Sequence, residues 1–195
     1  MKLSSAVRIL AVAIMAETMA EARGIDKSVA VYIISDRDSI NRDVKDQALG
    51  LAHRMFSNID VDIRWHSGRP SVEDRNAIVI ELTTGTPVTL RPDALAYALP
   101  YEGVHIQVFW DRVNIYDAPS ELLAHVLVHE ITHILEGIPR HSENGVMKAC
   151  WSNQDFKAMR RMPMRFAPVD IKLIHLGLEA RNGRAMASAV HLKDE

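Results

Sequence analysis

A single cysteine, Cys150, occurs in the whole chain, so no disulfide can form within it and the fold must rest on its core and on any metal it holds. An excess of either charge is missing too. Lys and Arg number 23 against 25 Asp and Glu, interspersed along the sequence, for a formal net charge of -2. That removes the electrostatic footprint of a nucleic-acid or anionic-membrane binder. There is no internal repeat, no low-complexity tract and, past the amino terminus, nothing approaching the roughly 20 apolar residues of a membrane span. What remains is 195 residues with 48% hydrophobic content, enough for one sizeable core, and the chain reads as one domain.

The amino terminus carries an export pattern. Lys2 and Arg8 precede an apolar stretch at 9–16, and Ala20 and Ala22 supply the small residues a signal peptidase needs. Residues 1–22 therefore read as a signal peptide, 23–183 as the mature domain and 184–195 as a flexible tail, with a secreted or periplasmic location. Arg8 lies late for a basic leader and Glu17 makes the approach to the cleavage site polar, which leaves a retained amphipathic helix as the competing reading. Cleavage would remove Lys2, Arg8, Glu17 and Glu21, which cancel, so the net charge would stay at -2.

Element order follows from periodicity. Residues 28–34 are β-branched and end in a polar Ser-Asp-Arg-Asp turn, a strand signature. From 39 to 58, Ile40, Val44, Ala48, Leu51, Ala52 and Met55 recur at helical spacing. Strands are expected at 61–65, 77–83 and 104–110. Between the last two, 94–101 reads as an edge strand, because Pro100 cannot donate to a ladder. A long helix should start near Asp117 or Ser120, either able to cap it, with Pro119 and Glu121 in its first turn. Helices at 153–161 and 168–182 should follow, with a frayed end.

That long helix carries the one stretch that implies chemistry. His129, Glu130 and His133 spell HExxH, and residues four apart share a helical face, so both imidazoles can serve one metal ion with the carboxylate beside the open position. Two histidines and a glutamate on the inward face of an apolar helix would be costly to bury without a metal or partners. His125 lies one turn earlier on the same face, but three turns of one straight helix rarely converge on one ion, so it reads as a packing or supporting histidine. A catalytic zinc usually has three protein ligands and a water. Gly137 can end the helix in a left-handed conformation and Pro139 prevents its resumption, a turn able to return His141 to the pair. Glu143 and Asp155 are the alternatives for the third place.

Residues 129–147 resemble the metzincin clan of zinc endopeptidases, and its matrixin-like members most. The resemblance implies His129, His133 and His141 as ligands of one Zn2+, Glu130 as general base, Gly137 as the turn and Met147 as the Met-turn residue. It also implies an α+β fold: a twisted mixed sheet with an antiparallel edge strand over the cleft, the active-site helix behind it and C-terminal helices. Small secreted bacterial zinc-dependent peptidases look similar as well, through Ala94-Leu-Ala-Tyr-Ala98 and Met147-Lys-Ala-Cys-Trp151. The chain departs from the family spacing HExxHxxGxxH. It has Glu136 and Pro139 where the pattern has glycine and histidine, so Gly137 comes one late and His141 two late. A loop extension of that size costs little entropy.

The resemblance implies hydrolysis of peptide bonds, with Glu130 taking a proton from a metal-activated water and handing it to the leaving amine. An extended peptide would add to the edge strand at Ala96, Tyr97 and Ala98. Tyr97 and Tyr101 are candidate cleft aromatics, or ordinary sheet packing. Trp151 is expected to shape the pocket, and Cys150 to be a small buried hydrophobe. A zinc-bearing interaction module and a zinc hydrolase of small amides remain open. Three imidazoles fit zinc best, although cobalt, nickel or iron would bind too. Cleavage near Ala22 would leave too few residues for a folded prodomain, so a monomer that is constitutively active or held by a separate inhibitor is expected.

Overall fold

The computed structural model describes residues 26–35, 40–74, 76–87, 91, 94–98 and 104–191; the expected signal segment, Pro100 and Tyr101 lie outside them. Five strands form one sheet: β1 (Ser28–Ser35), β2 (Asp62–Ser67), β3 (Ile78–Thr83), β4 (Ala96–Ala98) and β5 (His105–Phe109). Their spatial order is β2-β1-β3-β5-β4, with every pairing parallel except β4 against β5. The expected antiparallel edge strand is therefore present and short. Its register sets Ala98 opposite Ile106, Tyr97 opposite Gln107 and Ala96 opposite Val108.

Alternation explains β1. Val29, Val31 and Ile33 turn inward while their neighbours are half-buried, as a two-residue period demands. In β3 the apolar run 78–80 is buried on both faces, which suits a strand flanked by parallel neighbours.

Helix α1 (Arg42–Ser57) starts three residues later than its apolar periodicity suggests. The Asn41 side chain accepts from the Asp43 and Val44 amides and fixes the start, leaving buried Ile40 just outside it. A short helix, α2 (Trp110–Val113), begins where a strand was expected to end. The long helix α3 (Pro119–Glu136) is capped at Ala118 without a side-chain bond, not by Asp117 or Ser120. Proline at the first helical position presets the backbone there, while the Ser120 hydroxyl is spent on Glu121. Helix α4 (Asn153–Met159) has a full capping box between Ser152 and Asp155.

Helix α5 (Pro168–His191) continues beyond Asn182, so 184–191, expected to fray, have helical backbone. Asn182 ties it to the Asp26 carbonyl and Arg181 to that of Asn76.

Helix α3 is the centre of the molecule. Every residue from 122 to 135 is buried, the mark of a helix surrounded by protein rather than lying on a surface. It packs against α1, α4 and α5, and runs along β4 and β5. Each fully buried leucine or isoleucine on it contributes roughly 1.5–3 kcal/mol relative to exposure, which fixes the helix in position and rotation. Gly177 lets α5 cross tightly, since a β-carbon there would lie 1.7 Å from the Leu135 carbonyl oxygen.

Candidate metal centre

Three constraints converge on the two helix histidines. His129, Glu130 and His133 are only 8%, 9% and 7% exposed, and all lie on the stretch of α3 under the edge strand. The His129 Nδ1–H donates to the Val146 carbonyl at 2.9 Å, so its Nε2 must carry a lone pair. That Nε2 lies 3.1 Å from Nε2 of His133. Two nitrogens on one tetrahedral zinc, each bonded at about 2.0–2.1 Å, sit about 3.4 Å apart, so the pair is spaced for a shared ion.

Gly137 ends α3 with φ 68° and ψ 17°, its amide donating to the His133 carbonyl. The chain reverses as its glycine and proline imply, and His141 returns to the pair. Its ring centroid lies 5.3 Å from that of His129 and 4.9 Å from that of His133. One ligand atom from each of the three falls within 4.8 Å of the others. His141 itself is exposed.

Of the alternatives, Asp155 is taken up by Lys148 at 2.5 Å and by its capping role at Ser152. Glu143 is exposed on the loop. His125 is saturated, since Nδ1 donates to the Glu121 carbonyl at 2.7 Å and Nε2 accepts the Met164 amide at 3.0 Å. It supports the fold beside the cluster.

Burial tunes the protonation states. Desolvation lowers both His129 and His133 to about 4, keeping them in the neutral form that a metal ligand needs. The Ile138 carbonyl opposes the shift at His133 without reaching hydrogen-bond geometry with its buried Nδ1. Burial also pushes the Glu130 carboxyl up to about 8, opposed by the nearby Ala98 backbone. A carboxyl raised toward neutrality is suited to accept and return a proton.

A cleft of about 540 Å³ opens over the cluster. Ala96, Tyr97 and Ala98 line one side and Trp151 the other, with His129, Glu130, His133 and His141 on the floor. Tyr97 lines the cleft, is 37% exposed, and stacks on Phe109 at 6.4 Å. Trp151 sets its edge against His129 at 5.6 Å. Cys150 is exposed and lines the cleft, contrary to the expected buried hydrophobe; the bend that brings Trp151 inward turns its neighbour out. Met147 is fully buried, and its carbonyl accepts the Ser142 amide at 2.8 Å to close the ligand loop.

Sequence reading passed over Arg140, Ser142 and Asp170. The Asp170 carboxylate is wholly buried, accepting Arg140 at 2.8 Å and the Ser142 hydroxyl at 2.5 Å on one oxygen and the Ala167 amide at 3.0 Å on the other. Nothing in a linear pattern joins positions thirty apart. The visible hint was Asp170 in the first turn of a helix, which by itself says only that it favours the helix start.

The mostly parallel sheet, the antiparallel edge strand and the three-histidine cluster on and after the central helix define a metzincin-like zincin fold with a candidate metal site. Among similar solved structures is the crystal structure of archaemetzincin from Methanopyrus kandleri. It has a TM-score of 0.57 and 15% sequence identity over 80% of this chain and 99% of that one. No family model and no curated protein matches the chain.

Proposed function

We propose that the chain is a zinc-dependent endopeptidase, exported by a signal peptide at 1–22 and active as a monomer on extended peptide or protein substrates. The carrying observation is the convergence of His129, His133 and His141 within 4.8 Å, with the raised carboxyl of Glu130 adjacent on the same helix. Similarity of fold to archaemetzincin supports the same reading. The donor set of three imidazoles, two of them held neutral by burial, fits zinc.

Zinc bound there would supply Lewis acidity, polarising the scissile carbonyl and acidifying a water. Glu130 would take a proton from the attacking water and return it to the departing amine nitrogen as the amide C–N bond breaks. An extended peptide adds to the outer edge of β4, its backbone paired along 96–98, while Tyr97 and Trp151 contact its side chains. Met147, in a matrixin-like turn, supports the cluster from within the core.

Glu130→Gln tests this reading. It should keep one zinc per chain and reduce cleavage of unfolded protein by about 10²–10⁴-fold, the usual contribution of a positioned general base. A wild-type protein that binds zinc yet cleaves nothing in peptide libraries would overturn it.

A further inference from the structure

The third histidine raises a problem that the helix pair does not. His141 is an exposed ring on a loop between Gly137 and Met147, and a ligand free to change rotamer must be ordered each time the metal binds. Its two sequence neighbours restrain the backbone that carries it, which narrows where the ring can reach. Arg140 and Ser142 both reach the same Asp170 carboxylate oxygen, and the Arg140 Nη2 also donates to the Ser142 hydroxyl at 2.7 Å. The backbone on either side of His141 is thus clamped by one triangle of side chains. The Ser142 amide adds a bond to the Met147 carbonyl. Glu136, with its side chain fully buried, stands 3.5 Å from Arg140 and braces the guanidinium from the end of α3.

We propose that Asp170, from the first turn of α5, is the positioning residue that fixes His141 in ligand geometry, acting through Arg140 and Ser142. The inference rests on the zinc-site reading above and deepens it. Asp170 also forms an ion pair with Arg140, offsetting the cation next in sequence to His141. Partners of this kind, one shell removed from a metal, typically govern affinity by about 10–100-fold.

The experiment is a cycle of zinc affinities, measured by competition with a chromophoric chelator. Wild type, Asp170→Asn, His141→Ala and the double variant are compared, each shown folded in chelator by circular dichroism. Asp170→Asn should weaken zinc by about 10–100-fold. In the His141→Ala background, at zinc levels that still load the helix pair, the same substitution should change affinity little. An unchanged affinity in folded Asp170→Asn overturns the proposal, and so does an equal loss with and without His141, which would mark a general structural role. If Asp170→Asn does not fold, Ser142→Ala decides by the same cycle, with a smaller loss expected. A wild-type chain that fails to bind zinc overturns the underlying site, and is recognised before any substitution is made.

Discussion

Two of the candidate ligands and the third are held by opposite means. His129 and His133 sit on a helix buried from 122 to 135, so their separation is set by helical geometry and their rotation by the core. His141 sits on a loop, exposed, and its place depends on Arg140, Ser142 and the remote Asp170. The first half of the site is a by-product of folding the core. The second half has to be tied down separately, because helical geometry does not set the position of a residue on the loop after Gly137.

The largest expected effect breaks the core side of this contrast. Gly177→Ala would drive a β-carbon into the Leu135 carbonyl, backbone against backbone, next to the end of the ligand helix. A loss of about 3 kcal/mol or more in urea-unfolding stability is expected, beyond ordinary overpacking. A loss below 1 kcal/mol would mean that α5 can shift freely relative to α3.

Next in size is the pH response of the chelated protein. His129 and His133 titrate at about 4 when folded against 6.5 unfolded, so the stability present above 6.5 is lost as pH falls through 4. His125 and His141 are lowered in the same direction. Glu130, at about 8, and Glu136, at about 7, have the opposite sign: their contribution is full below 4.5 and lost as pH rises through those values. Between 4.5 and 6.5 the two carboxyls largely offset His129 and His133, and the lowered His125 and His141 tip the balance, so stability should be highest near pH 6.5, falling gently on the acid side and more clearly on the alkaline side. Chemical unfolding in chelator from pH 4 to 9 measures this, and a stability that rises between pH 6.5 and 9 would contradict it.

The smallest effect separates the two halves directly. His129→Ala and His141→Ala should both abolish stoichiometric tight zinc binding. In chelator, His129→Ala should still cost about 1–3 kcal/mol by opening a buried site, while His141→Ala should stay within about 0.5 kcal/mol. Equal stabilities would erase the distinction between core ligand and loop ligand.

The same division explains how much was legible in the sequence. Local periodicity reported β1 through Val29, Val31 and Ile33, and α1 through Ala48, Ala52 and Met55. The mixed sheet with its antiparallel edge was foreseen, and its strands fall within a few residues of their expected ranges. Gly137 announced the end of α3 because only a left-handed residue closes a helix so sharply. Signals that need the third dimension were missed. The start of α3 is fixed by Pro119 rather than by Asp117 or Ser120, and Cys150 faces out because its neighbour Trp151 turns in. The partnership of Asp170 with Arg140 and Ser142 spans α5 and the ligand loop, so no window of sequence contains it.

One peptide unit has a consequence for inheritance. Val146 offers its carbonyl to His129 and its amide to the Arg165 carbonyl, so the tautomer of the first imidazole is written in main-chain atoms. Nearly every codon at that position preserves both groups. Mutation can disturb how the valine packs, but among single changes there only proline erases the amide. The orientation of His129 is therefore buffered against genetic drift at its own anchor, whereas that of His141 hangs on three side chains that a single base change can remove.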